Sequence, residues 1–135
     1  MRRLSERGQT AVEFALVIPV MLLFVLGIFE VGRTYFNNEA IQTAARDGAR
    51  AGAIHTGATS AQIQAYVQAA VLANTPGLKP SNVTVTTTCI ESSGDSTCWE
   101  QNDTIDVRVT YPYHIGVLSF AASGTLTAHT QLRFE

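Results

Sequence analysis

The chain has 135 residues, a formal net charge of −2 and 46% hydrophobic side chains. That length makes one domain, with room for a membrane anchor in front of it, and the absence of a basic face or arm excludes nucleic acid as a partner. The charge is unevenly placed: residues 1–8 carry Arg2, Arg3 and Arg7 against Glu6, and the other 127 carry six basic and ten acidic side chains.

Residues 11–29 are apolar except for Glu13, and residues 14–29 hold no charge at all. About 20 apolar residues are needed to cross a bilayer, so this run spans or nearly spans one. Pro19 and Gly27 lie inside it; both are tolerated in membrane helices, although Pro19 removes a backbone donor and predicts a kinked or loosened turn. A soluble core helix is a poor reading for so uniform a run of Leu, Val, Ile and Phe in so small a chain. A secretory signal would need a small-x-small cleavage site just after the run. The next residues, Glu30-Val31-Gly32-Arg33-Thr34-Tyr35-Phe36, hold none, and Ala51-Gly52-Ala53 is too far downstream. The apolar helix is therefore expected to stay with the mature protein. The basic leader places its N-terminus in the cytoplasm and exports the remainder. A carboxylate beside hydrocarbon is expensive, so Glu13 either serves a specific partner or snorkels to the headgroups.

No strong break occurs until Thr56-Gly57. Glu30 with Arg33 and Asp47 with Arg50 are i,i+3 pairs expected to support the helix by roughly a few tenths of a kcal/mol each. Ala44, Gly48 and Gly52 fall on one face at i,i+4 steps, as do Ala45, Ala49 and Ala53. Small faces let another element approach closely, either the chain's own head or another subunit. A helix over residues 11–53 would be about 65 Å long, roughly twice a bilayer core.

The exported part begins with an amphipathic helix over 60–74, capped by Thr59 or Ser60, with Ile63, Val67, Ala70 and Val71 on its apolar face and Thr75-Pro76-Gly77 as its stop. The period then changes from 3.6 to 2. Residues 83–89, 105–111 and 125–134 alternate and predict three strands, the second ending at Pro112. Residues 91–103 are polar with Gly94-Asp95 as a turn signal, and 114–122 are apolar and irregular, a turn or a membrane-proximal contact. Cys89 and Cys98 close a short loop, and export predicts that they form a disulfide contributing about 2–3 kcal/mol. Trp99 beside them either packs on that bond or makes an exposed contact. The fold class expected is α+β: a long N-terminal transmembrane helix that continues into a stalk and packs on a small antiparallel sheet head with one short extra helix. His55, His114 and His129 are scattered, and no GxSxG, P-loop, GxGxxG or HExxH occurs. No metal, cofactor or enzymatic activity is expected.

The stretch Gly8-Gln9-Thr10-Ala11-Val12-Glu13-Phe14 resembles the class III leader of type IV prepilins, in which cleavage follows Gly and Glu stands fifth in the mature chain. Continued through Pro19 and Gly27-Ile28-Phe29-Glu30-Val31-Gly32-Arg33, it is similar to the TadE-like pseudopilins of tight-adherence pilus systems. The resemblance implies a bacterial cytoplasmic (inner) membrane protein, single-pass, with its N-terminus inside and its C-terminal domain outside. It implies scission of Gly8–Gln9 by a prepilin peptidase; the i,i+4 spacing would let Glu13 pair with the new amine of its own chain, and the resemblance implies pairing with that of a neighbouring subunit. Gln9 replaces the Phe or Met that many pilins methylate, and Phe14 stands where major pilins of this branch commonly carry Tyr. The expected organisation is a leader over 1–8, a membrane helix over 9–29, its extension over 30–55 and an exported head over 56–135. The function implied is that of a minor pilin or pseudopilin, with other pilins and pseudopilins of the system as partners. The rivals are a major pilin that builds the filament, and an uncleaved bitopic protein whose head binds a ligand.

Overall fold

A computed structural model describes residues 3–55, 57–91, 98–117 and 120–134, with side chains from residue 8 on and outside 117 and 120. Helix α1 runs over Arg3–Ala53, helix α2 over Ser60–Ala73 and a 3₁₀ turn over Pro80–Asn82; the strands are β1 Thr84–Ile90, β2 Thr104–Val117 and β3 Phe120–Arg133. The chain is thus α+β, a long apolar helix with one short helix and a three-stranded antiparallel sheet in the order β1-β2-β3.

Helix α1 is unbroken for 51 residues, from Arg3 and through Pro19. The loosened turn expected at Pro19 does not interrupt the helix. Side chains at residues 8–26 are all exposed, and the part that is long and apolar enough to cross a membrane has no buried share. Full burial begins at Ala40, so the core is built on the C-terminal end of the helix, while Glu30, Arg33 and Asn37 border the head at a partly open cleft.

The core lies between that end and two covers. Ile41, Ala44, Ala45 and Ala49 of α1 meet Ile63, Val67 and Val71 of α2, and Ile105, Val107 and Val109 of β2. The spacing of four on α2 gives one buried face, as the 3.6-residue period dictates. Thr59 caps α2 in a capping box: its hydroxyl accepts from Gln62 N–H, and the Gln62 side chain accepts from Thr59 N–H at 3.0 Å. In β2 the inward positions 105, 107 and 109 are buried and alternate with Asp106, Arg108 and Thr110 on the outer face.

The largest departure from the sequence reading is at the β2–β3 hairpin. Strand β2 does not end at Pro112, and of the stretch 114–122 residues 114–117 and 120–122 are strand, while 118–119 lie outside the described residues. The ladder continues from Tyr111↔Leu126 to Val117↔Phe120, with Pro112 opposite Thr125. The reason is local: β1 starts at Thr84, opposite Thr110, so beyond it β2 has a partner on one side only. A residue without an amide hydrogen is tolerated where it faces an unpaired edge. The polar turn placed at Gly94-Asp95 also lies outside the described residues.

Candidate functional site

The residues singled out at the N-terminal end share one continuous helix. Gly8, Gln9, Glu13 and Phe14 all lie in α1 and are all exposed. A side chain at Gly8 would meet no described residue within 4 Å. Gln9 and Glu13 are one turn apart on the same face, as i,i+4 spacing requires. Farther along α1 an open apolar groove of about 820 Å³ runs from Val20 past Gly27 and Gly32 to Tyr35. Among the described residues, no neighbour lies within 4 Å of where a Cβ would stand on either glycine.

Gly48 and Gly52 are the opposite case. A Cβ at Gly48 would stand 2.6 Å from Val71 Cγ2, and one at Gly52 would stand 2.9 Å from Val67 Cγ2 and press on Ile105 Cδ1. Ala44, on the same face, is fully buried. This face is covered by the chain's own α2 and β2. The small residues are what let a helix and a sheet approach α1 this closely.

At the distal end of the head Cys89 and Cys98 are bonded, with their Cα atoms 6.2 Å apart. Trp99 does not stand alone in solvent: it is half-buried and meets the Phe134 ring edge-on at 6.2 Å between centroids. The adjoining turn is fixed by Asp103, which is buried and accepts Glu100 N–H at 3.0 Å on its carboxylate. Phe134 N–H donates to Asp103 O at 2.8 Å, and Asn102 N–H donates to Phe134 O at 3.0 Å. Trp99 and Asn102 both have φ of 80°, so two non-glycine residues are held in the left-handed region. Cys89, Cys98 and Asp103 come within ligand distance of one another, but the two sulfurs are bonded together, which removes the thiolates a metal would need.

Several partners were beyond the sequence reading. His55 Nδ1 donates to Ala51 O at 2.7 Å, serving a carbonyl left open at the end of α1, and its ring stacks on Tyr66 at 3.9 Å. His129 Nε2 lies 2.6 Å from Asp106 Oδ1 on the outer face of the sheet, and Thr88 Oγ1 donates to Asp106 Oδ2 at 3.5 Å. The alternation of β2 would have put Asp106 on that face; only the register with β3 brings His129 near. Among the described residues Asp106 and His129 are the acid and base within bridging distance, and the expected Glu30–Arg33 and Asp47–Arg50 pairs are not formed.

Residues 8–50 match the model of a family described as TadE-like protein. The match covers α1 from Gly8 to within one turn of its end and none of α2 or the sheet. Over that segment, about a third of its length, the chain is similar to the TadE-like proteins. No curated protein and no solved structure matches the chain.

Proposed function

We propose that this chain, TadE-like over its N-terminal helix, is a minor pilin or pseudopilin that works by assembly rather than by turnover. Residues 1–8 act as a prepilin leader, residues 9–29 cross the cytoplasmic membrane with the N-terminus inside, and the head stands outside. A prepilin peptidase cuts Gly8–Gln9, and the chain then joins other pilins or pseudopilins of its system.

The observation that supports this most is the position of Glu13 on an exposed membrane-length helix, five residues after an unhindered glycine. Cutting at Gly8 creates a positive amine on Gln9, one turn from the carboxylate. Pairing offsets the cost of holding a charge beside hydrocarbon, and pairing with a neighbour's amine also fixes how far one subunit is displaced along the next. The same helix carries the open groove from Val20 to Tyr35, whereas its small-residue face is occupied by the head.

Intact-mass measurement of protein extracted from membranes tests the proposal. The expected mass is that of a chain starting at Gln9; a chain starting at Met1 would sink the prepilin reading. The protein's abundance in sheared filaments separates the minor role from that of a major pilin.

A further inference from the structure

Two of the five asparagines head the tripeptide Asn-x-Thr with no proline between: Asn82-Val83-Thr84 and Asn102-Asp103-Thr104. In an exported chain that tripeptide is the acceptor motif for an N-linked glycan, the hydroxyl two residues on marking one asparagine among the rest. The two motifs stand at opposite ends of the head. The sheet runs along α1 from Gly52, on which Ile105 presses, to Glu30, whose cleft Tyr113 and Asn82 line. Asn102 comes three residues before Ile105, in the turn beside the disulfide, at the end away from the apolar run.

Both backbone groups of Asn102 are engaged. Its N–H donates to Phe134 O at 3.0 Å, and its carbonyl accepts Arg133 Nε at 3.1 Å. The residue itself is exposed, next to buried Asp103. A transferase needs its acceptor chain extended, so the order in which turns close decides between the two sites. Export proceeds in chain order, so Asn102 is outside before residues 133–134 arrive to close the turn on it. Contacts between residues so far apart in the chain also form after local ones. The bonds between Glu100 and Asp103 are local and tie the turn to nothing else. Asn82 is the opposite case, because its 3₁₀ turn closes within residues 79–83. Asn82 N–H donates to Lys79 O at 3.0 Å, Val83 N–H donates to Pro80 O at 3.2 Å, and the Asn82 side-chain oxygen accepts the Ser81 hydroxyl at 3.2 Å.

We propose that Asn102 is a glycosylation site, carrying an oligosaccharide on Nδ2. The donor is of the lipid-linked class, an oligosaccharide on a polyprenyl diphosphate, and the catalyst is a membrane transferase facing the exported side. The bond from Asn102 Nδ2 to C1 of the first sugar forms as the C1–O bond to the diphosphate breaks. The polyprenyl diphosphate leaves with the electron pair, and Nδ2 gives one proton to a base of the transferase. A glycan is bulky and hydrated, so the folded head accommodates it only on a residue open to solvent, as Asn102 is. The inference rests on the orientation given in the proposed function, and it keeps the distal end of the head out of any subunit contact.

The test takes the full chain, tagged after Glu135, from membranes of the cells that make it, and cuts the reduced protein with a glutamate-specific protease. Cleavage after Glu91 and Glu100 separates the peptide with Asn82 from the peptide with Asn102. Mass spectrometry should find a glycan mass on the Asn102 peptide, lost in Thr104→Ala and kept in Thr104→Ser. Neither variant touches the residue held at φ 80°. Asn102→Asp should lose the glycan too, with a side chain that tolerates that backbone. An unmodified Asn102 peptide, in protein whose tag is cut from intact spheroplasts by added protease, overturns the site and leaves the orientation standing. A protected tag overturns both. A glycan that survives Thr104→Ala, or that sits on the Asn82 peptide only, also overturns the proposal.

Discussion

Gly8 and Gly52 show how one residue type serves opposite ends of α1. The Gly8–Gln9 bond lies inside a helix that begins at Arg3, so the cleavage proposed there requires the first turns to unwind, since a peptidase needs its substrate extended. Glycine weakens a helix by about 0.5–1 kcal/mol relative to alanine, which favours opening at that place. Gly8→Ala is expected to slow leader removal and Gly8→Val to abolish it, read as the mobility shift in a pulse-chase. At Gly52 the issue is space. Gly52→Ala forces a methyl between Val67 and Ile105, and overpacking of this kind costs about 1–3 kcal/mol. The midpoint of urea unfolding in micelles should fall for Gly52→Ala and not for Gly32→Ala, whose Cβ meets none of the described residues. Glu13→Ala should be processed normally and be missing from assembled complexes; normal incorporation would show that the carboxylate sets no register. The spacing of the small residues was legible in the sequence. That Val67 and Ile105 fill the space was not, because Ile105 is a long-range neighbour that no local pattern identifies.

Among the elements, α1, α2 and the existence of three strands could be read directly, because the period of the apolar residues switches from 3.6 to 2 after Asn82. The length of β2 could not. Pro112 normally ends a strand, and only the sheet order, with β1 stopping opposite Thr110, makes it harmless. The 98–103 turn was equally hidden: its anchors are Asp103 and Phe134, which meet through the fold and not through spacing. The disulfide joins β1 to the start of this turn. Reduction, or the double substitution Cys89→Ser and Cys98→Ser, should destabilise the head by about 2–3 kcal/mol on the loop-entropy account. Unfolding with and without reductant measures it, and an unchanged midpoint would show that the Asp103–Phe134 hydrogen bonds alone hold the turn. Thr59→Ala removes the capping box of α2 and should cost about 1 kcal/mol, read in the same titration.

At the scale of the whole molecule, the arrangement of an apolar helix and a small α+β head could be read from the contrast between 11–29 and the rest. The direction of the hairpin, back along α1, could not, because a strand order carries no information about which way the sheet lies on a helix. The orientation across the membrane is a prediction at this scale. A tag after Glu135 should be cut from intact spheroplasts by added protease, and a tag in the leader should be protected until the leader is removed; the reverse pattern would invert the topology.

Helix α1 runs without interruption from Glu13 to the buried contacts that start at Ala40, a span of about 40 Å. It therefore behaves as a connecting rod. A load applied to the head reaches Glu13 through hydrogen-bonded helix with no slack linker to absorb it, and a displacement at one end is the displacement at the other. The load passes from the head into the rod at the seating of Gly48 and Gly52 against Val67, Val71 and Ile105, within the core that Ile41, Ala44, Ala45 and Ala49 share.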